Sequence, residues 1–359
     1  MAVGSRAAER INSPVSSKIS PARAATATAA HDVLLNLFPA QAASLNSQYT
    51  DYLTSHGLLN TDPGVVVGQQ AAAGILAFRA NDGRFPATFP PFTGSTDIGV
   101  WRPTVSYQPG PPPTLSPGAA PWLATVTPFA LKSPSQFRVS PPNKLTSKRY
   151  AEDYNEVKAL GALQNSSRTA DQTDLAYFYA DNGILLWNRA LRAITEARIN
   201  NLGDSARLFA LVNVSIADAF ITCWDSKYFY VFWRPVTAIQ NGDNDGNPRT
   251  QGDPTWQPLI NTPNYPDHPS GANNISGATT RMLQLFFGTD NLTFTATSTY
   301  ALAVQKSRTY THLSDAAEDV VNARIYLGLH FRTADEDARR QGQQVARWVF
   351  KHILRPVRH

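Results

Sequence analysis

The chain has 359 residues, of which 42% are apolar, and a formal net charge of +5. That composition allows a buried core in one large domain or in two of ordinary size. Basic residues are scattered and form no Lys/Arg-rich run, which argues against nucleic-acid binding. Cys223 is the only cysteine, so intramolecular disulfides and cysteine-based zinc sites are excluded.

The composition of the N-terminal 30 residues predicts a flexible tail, with a transit peptide as the alternative. They are rich in Ser, Ala and Arg and lack the apolar core of a signal peptide. No stretch in the chain is apolar and long enough to cross a bilayer. We therefore expect a soluble protein without a membrane span.

Residues 31–146 combine N-terminal helices with an irregular segment. Apolar spacing over 31–80 predicts two or three helices. Residues 81–145 are too rich in Pro and Gly for regular structure, although Trp101 and Trp122 suggest that they pack on the body of the protein. We interpret them as an ordered wrapping segment, with an interdomain linker as the alternative.

Residues 147–359 predict a C-terminal helical bundle, because apolar residues recur three and four apart over several turns. Thr169 and Ser314 occupy positions expected of N-caps. The β-branched stretch that begins at Asn291 is ambiguous, and we interpret it as a loop that leads into a helix. The predicted fold class is all-α, with packed helical bundles and the long wrapping segment around them.

The segment KYFYVFWRP contains the first candidate site residues. Lys227 and Arg234 are seven positions apart, about two helical turns, which predicts that both charges project from one side of a helix that Pro235 ends. Long basic side chains can extend to solvent from a buried helix. The aromatic surroundings favour instead a shared buried anion.

The segment HPSGA follows a proline-rich approach and precedes helical spacing, so a helix is predicted to begin near Ser270. A helix start offers free amides and a partial positive charge, and Gly271 lets an anion approach the backbone. Taken alone, Ser270 could equally be an ordinary N-cap.

The segment RIYLGLH supplies Arg324 and His330. Six positions separate them, so on one helix the arginine must reach around to meet the same ligand as the histidine. Gly328 predicts a place where another element packs closely. A lone histidine on a helix is usually structural, and only the combination with the other two segments indicates an oxyanion site.

The order and spacing of these segments resemble a known superfamily. Lys, six residues, Arg-Pro, then Pro-Ser-Gly, then Arg, five residues, His is similar to the signature that unites vanadium-dependent haloperoxidases with type 2 phosphatidic acid phosphatases and bacterial acid phosphatases. Upstream, GILAFRANDGR, VWRP and VTPFAL resemble the soluble bacterial haloperoxidase-like branch, which implies a vanadium chloroperoxidase-like fold.

The resemblance implies a role for each matching residue. His330 would be the vanadium ligand of a haloperoxidase or the nucleophile that forms a phosphohistidine in a phosphatase. Trp224 matches an aromatic position beside the halide path, although a core tryptophan is equally consistent. The residues that would bind the oxygens of vanadate or phosphate are Lys227, Arg234, Ser270, Gly271 and Arg324.

The chain departs from the family pattern at the acid/base position. Ala272 stands where family members have a catalytic histidine, and His268 is a candidate substitute. Ala323 replaces a usual serine. Ala334 replaces an aspartate that would pair with His330, and Asp335 or Asp337 could orient that histidine instead.

Three functions are consistent with this pattern. The first is a haloperoxidase-like enzyme that uses vanadate and hydrogen peroxide to oxidise halide, with a small organic acceptor. The second is a soluble acid phosphatase that acts on a phosphomonoester. The third is an oxyanion-binding protein with catalysis impaired by Ala272. The resemblance also allows a homodimer and favours a location outside the cytoplasm.

Overall fold

A computed structural model describes residues 14–105 and 115–355. The α-helices within these ranges are α1 (Pro14–Leu37), α2 (Ala42–Ser55), α3 (Pro63–Arg79), α4 (Lys148–Leu160), α5 (Ala170–Phe178), α6 (Gly183–Arg198), α7 (Leu202–Tyr230), α8 (Pro235–Gln240), α9 (Gly271–Phe287), α10 (Leu313–Tyr326) and α11 (Arg332–His352). Strands β1 (Asn291–Thr297) and β2 (Ser307–His312) form one antiparallel pair. The fold is thus mostly helical, as predicted.

The chain divides into two compact units. The first comprises Met1–Asp82 and Asn200–Ala206, and the second comprises Gly83–Ile199 and Arg207–His359. The wrapping segment therefore belongs to the same unit as the C-terminal helices, whereas the sequence grouped it with the N-terminal helices.

The first unit contains helices α1, α2 and α3. Of the expected flexible tail, residues 1–13 lie outside the described residues, whereas 14–30 fall within α1. This segment is rich in alanine, the residue with the highest helix propensity, and α1 gains a buried cluster that holds it in place. Ala24, Leu53, Leu58 and Val65 form that cluster.

The core of the second unit lies among helices α6, α7, α9, α10 and α11. Leu191, Leu211, Met282, Val320 and Val345 contribute one buried side chain from each of these helices. Helix α7 is long and apolar enough to match a membrane span by composition, but 56% of its most apolar window is buried inside the protein. We interpret it as a core helix.

The wrapping segment is ordered where the structure describes it. Trp101 is 1% exposed, and its backbone N–H donates to the carbonyl of Val231 at 2.7 Å. The buried carboxylate of Asp218 on α7 accepts hydrogen bonds from the backbone of Phe129, Ala130 and Leu131 at 2.6 to 3.0 Å. One buried acid thereby satisfies three amides of a segment without regular structure.

The prediction of a loop into a helix after Asn291 was wrong. Residues 291–297 form β1, whose burial alternates along the strand, and Phe294 pairs with Tyr310 of β2. The alternation of threonine with apolar residues suits a strand with one face on the core. The choice between strand and loop depended on the partner strand, which begins ten positions after β1 ends, and its sequence, SRTYTH, gave no strong signal.

The two predicted N-caps had different outcomes. Thr169 caps α5 in a reciprocal capping box with Gln172, as predicted. Ser314 does not cap α10, because that helix begins one residue earlier, at Leu313. The Ser314 hydroxyl donates instead to Asp290 at 2.6 Å.

Candidate oxyanion site

The three motif segments meet inside the second unit. Lys227 lies in the last turn of α7, Arg234 directly precedes α8, and Ser270 directly precedes α9. Arg324 lies in the last turn of α10, and His330 lies in the loop before α11. All five side chains are buried, and Lys227, Arg234 and Ser270 are 0% exposed.

Lys227 and Arg234 do not share one helix, contrary to the sequence-based prediction. Helix α7 ends at Tyr230, and Val231 has a left-handed backbone with φ of 50°. The next residues pair with the wrapping segment, since the Trp233 amide donates to the Gly99 carbonyl at 3.0 Å. This tertiary pairing ends the helix four residues earlier than Pro235 would require.

A helix end also separates Arg324 from His330. Helix α10 ends at Tyr326, and Gly328 has a left-handed backbone with φ of 76°. The loop brings the imidazole back toward the arginine, so one continuous helix through both residues was a wrong prediction. The predicted close packing at Gly328 is confirmed, because an added Cβ would lie 2.6 Å from the Gly161 carbonyl oxygen.

A Gly328→Ala variant is expected to lose at least about 2 kcal/mol of unfolding free energy, from left-handed strain and the clash with backbone. Urea denaturation of both proteins measures the change. Gly183→Ala is the matched control, because a Cβ there meets no atom within 4 Å. Equal stability of the two variants would contradict the packing argument.

His330 is held between a carboxylate and a guanidinium. Its Nδ1 lies 2.8 Å from Oδ1 of Asp267, and its Nε2 lies 3.1 Å from Nη1 of Arg234. The sequence proposed Asp335 or Asp337 as the partner of this histidine, and both are engaged elsewhere. Asp335 accepts from Asn273 at 2.8 Å, and Asp337 pairs with Arg340.

The cations also fasten the chain that precedes Ser270. Lys227 Nζ donates to the carbonyls of Pro266 and Asp267 at 2.8 and 3.0 Å. Arg234 donates through Nε to the Tyr265 carbonyl at 2.8 Å. The half-buried Tyr265 ring lies over both cations, with its centroid 4.9 Å from Lys227 Nζ and 4.8 Å from Arg234 Cζ. Such contacts are the attraction of a cation to an aromatic face.

Several buried polar atoms at this place have no hydrogen-bond partner among the described residues. Three of them are donors, Arg234 Nη2, Arg324 Nε and Ser270 Oγ, and two are carboxylate acceptors, Asp267 Oδ2 and Asp335 Oδ2. An unpaired buried donor costs free energy. A small oxyanion would satisfy the three donors together, so these residues fit vanadate or phosphate.

Burial sets the protonation of the site. It lowers the pKa of Lys227 to about 7. Burial, reinforced by the charges of Arg234, Lys227 and Arg324, lowers the pKa of His330 well below its ordinary value. The imidazole is therefore neutral at physiological pH and has a lone pair to offer. Burial also raises the pKa of Asp267 to about 7, against the opposing effect of Arg234 and Lys227.

The remaining candidate residues lie at the edge of this cluster. His268 is 1% exposed, and its Nε2 lies 2.9 Å from the Ser140 carbonyl, so the ring is anchored to the wrapping segment. Ala272 is half-buried against the core. An added Cβ at Gly271 would lie 3.3 Å from the Trp224 ring. Trp224 is buried, and its ring is tilted against that of Tyr265, with ring centroids 5.0 Å apart.

Sequence reasoning missed Asp267 and Tyr265. Both lie in NYPDHPSG, directly before Ser270, and the rigid prolines on either side were read only as an approach to the helix. An acid three residues before the serine was the available signal. Nothing in the sequence indicated that it would face His330, 63 residues further along the chain.

Comparisons with known proteins find relatives in sequence and in fold. The model of the VCPO second helical-bundle domain matches residues 207–359. A vanadium chloroperoxidase of Curvularia inaequalis is 30% identical over 193 residues, which cover 44% of this chain. The chain spans about 31% of the length of that relative.

Solved structures extend the likeness to the fold of most of the chain. A bacterial vanadium-dependent iodoperoxidase is 26% identical with a TM-score of 0.72, covering 87% of this chain and 74% of that one. A bacterial vanadium-dependent chloroperoxidase in its holo form shares the fold with a TM-score of 0.74, covering 91% and 81% of the two chains at 18% identity. Residues 207–359 thus match the VCPO second helical-bundle domain, and most of the chain is similar in fold to bacterial vanadium-dependent haloperoxidases.

Proposed function

We propose that this protein is a vanadium-dependent haloperoxidase-like enzyme that oxidises halide with hydrogen peroxide at a vanadate bound to His330. The observation that carries the proposal is a neutral, buried imidazole surrounded by donors that lack partners among the described residues. An imidazole with a free lone pair suits a bond to an electrophilic centre. Donors fixed before the ligand arrives suit an anion.

Each side chain has a role in this proposal. Lys227 has two N–H groups on carbonyls and a third left for the anion. Arg234 Nη2, Arg324 Nε and the Ser270 hydroxyl would bind the other oxygens. When bound, vanadate supplies a Lewis-acid centre that activates hydrogen peroxide for attack by halide. The buried walls exclude water and strengthen every charge interaction inside.

The relatives support the peroxidase over the alternatives. The Curvularia relative and the bacterial iodoperoxidase are both named as vanadium enzymes that act on halide. Trp224 and Tyr265 add an aromatic wall beside the cations, which provides a partly apolar place for a large, weakly hydrated halide.

A soluble acid phosphatase is the second candidate, and the pairing of His330 with Asp267 favours it. A nucleophilic side chain oriented by a neighbouring acid is a recurrent arrangement for covalent catalysis. The same pocket would bind the phosphoryl group of a phosphomonoester, and His330 Nε2 would attack phosphorus. The leaving alcohol would then need a proton that Ala272 does not supply.

The test compares both activities in one preparation. Purified protein is freed of bound oxyanions, reloaded with vanadate, and assayed for oxidation of iodide, bromide and chloride by hydrogen peroxide. Halide oxidation that rises with vanadate and saturates is the expected result. Phosphomonoester hydrolysis that vanadate inhibits would support the phosphatase. Tight binding of tungstate with neither activity would overturn both in favour of an oxyanion-binding protein.

A further inference from the structure

The contacts of His330 assign its proton. Arg234 Nη1 lies 3.1 Å from Nε2 and 3.4 Å from Nδ1, so the guanidinium lies against the ring and does not distinguish its two nitrogens. A carboxylate accepts, so Nδ1, which lies 2.8 Å from Asp267 Oδ1, must carry the hydrogen. In a neutral imidazole the lone pair is then on Nε2.

Asp267 is itself rigidly placed. Its backbone N–H donates to the Phe232 carbonyl at 2.9 Å, and its own carbonyl accepts from Lys227 at 3.0 Å. The residues on its N-terminal side are fixed by the same two cations through the carbonyls of Pro266 and Tyr265. The side chain is 0% exposed, so it has little freedom to leave the imidazole.

The acids nearer to His330 in sequence do not take this position. At position 334, where the family pattern has an aspartate, this chain has Ala334, whose side chain cannot accept a hydrogen bond. Its backbone carbonyl accepts from the Ser270 amide at 3.0 Å. Asp335 is bonded to Asn273 at 2.8 Å. Asp337 lies 3.9 Å from His268 Nε2 and pairs with Arg340. The carboxylate beside the imidazole comes from the segment before α9 and not from α11.

We propose that Asp267 is the positioning residue of this site: it holds the hydrogen of His330 on Nδ1 and turns the Nε2 lone pair toward the bound oxyanion. Its role rests on the proposed function, in that a bound vanadate or phosphate gives that lone pair its target. Asp267 acts through His330 and does not itself bind the anion. Residues that orient a ligating histidine in this way typically change affinity about 10 to 100-fold when they are replaced.

The first measurement needs no vanadate. Two-bond ¹⁵N–¹H correlation spectra report which nitrogen of each imidazole carries hydrogen. The chain has seven histidines, and the spectrum of His330→Gln assigns the relevant one. The expected result is a protonated Nδ1 and an unprotonated Nε2. A proton on Nε2 in the wild-type protein would overturn the proposal without any variant.

The second measurement uses Asp267→Asn, which keeps the shape of the side chain. Its amide N–H can donate to Nδ1, so the tautomer with hydrogen on Nε2 is expected to gain population. Vanadate affinity, followed by calorimetry, is expected to fall about 10 to 100-fold. Asp337→Asn is the matched control, with the wild-type tautomer and affinity expected.

The outcomes separate this inference from the proposed function. The chain could show the expected tautomer, and Asp267→Asn could abolish it, while vanadate-dependent halide oxidation is not detected. That result would support the positioning role of Asp267 and contradict the proposed peroxidase activity. An Asp267→Asn variant that keeps both the tautomer and the vanadate affinity of the wild type contradicts the positioning role, whatever activity the chain has.

Discussion

An Ala272→His variant is expected to oxidise halide about 100 to 10,000 times faster than the parent chain, the usual contribution of a general acid or base. Position 272 is the second residue of α9, directly after Gly271, and its side chain is half-buried. A histidine there can exchange a proton with a bound oxyanion near neutral pH. Steady-state rates at saturating vanadate measure the gain.

Ala272→Gln is the control for that experiment. Glutamine fills a similar volume and forms hydrogen bonds, but it does not titrate near neutral pH. A gain in Ala272→His alone would attribute the effect to proton transfer. Equal gains in both variants would attribute it to positioning, and no gain in either would mean that the proton already has another donor.

A His330→Gln variant is expected to lose at least about 1,000-fold in vanadate-dependent halide oxidation, because the nitrogen that we propose as the vanadium ligand is gone. Its affinity for tungstate is expected to fall no more than about tenfold, since Lys227, Arg234 and Arg324 still provide the charge-assisted hydrogen bonds. The glutamine amide can still donate to Asp267, which avoids a buried, unpaired carboxylate. Parallel rate and calorimetric measurements separate the two effects.

The exposed His312 supplies a matched control, because His312→Gln removes a surface imidazole that pairs with the exposed Asp315. It is expected to behave as the parent chain in both assays. Retention of halide oxidation in His330→Gln would refute the assignment of the vanadium ligand. A larger loss in His268→Gln than in His330→Gln would move the role to His268, despite its bond to the Ser140 carbonyl.

The sequence was sufficient for the identity of the cationic residues and for their convergence. Their order and spacing carried that information, because an anion site needs specific side chains whatever the path of the backbone between them. The path itself was predicted poorly. Lys227 and Arg234 were expected on one helix, yet pairing of Trp233 with Gly99 of the wrapping segment ends α7 at Tyr230. The helix propensity of the residues near Tyr230 does not indicate that a distant segment will pair there.

The partner of His330 illustrates the same limit. Asp335 and Asp337 were attractive because they are close in sequence, whereas Asp267 reaches the imidazole only through the tertiary structure. The β1–β2 pair is a second case, since the strand character of residues 291–297 depends on a partner beyond the local window. In both cases the contact that decides the structure joins segments distant in sequence, and the spacing of apolar residues within each segment does not indicate it.

Lys227 and Arg234 also have a structural role that does not depend on a substrate. They donate hydrogen bonds to the carbonyls of Tyr265, Pro266 and Asp267. Removing either one would leave buried carbonyl oxygens unpaired, at a cost of about 1 to 3 kcal/mol for each. A descendant that abandoned the chemistry would therefore still be penalised for losing these residues. That penalty does not depend on the residue at position 272, so folding stability alone is expected to maintain Lys227 and Arg234.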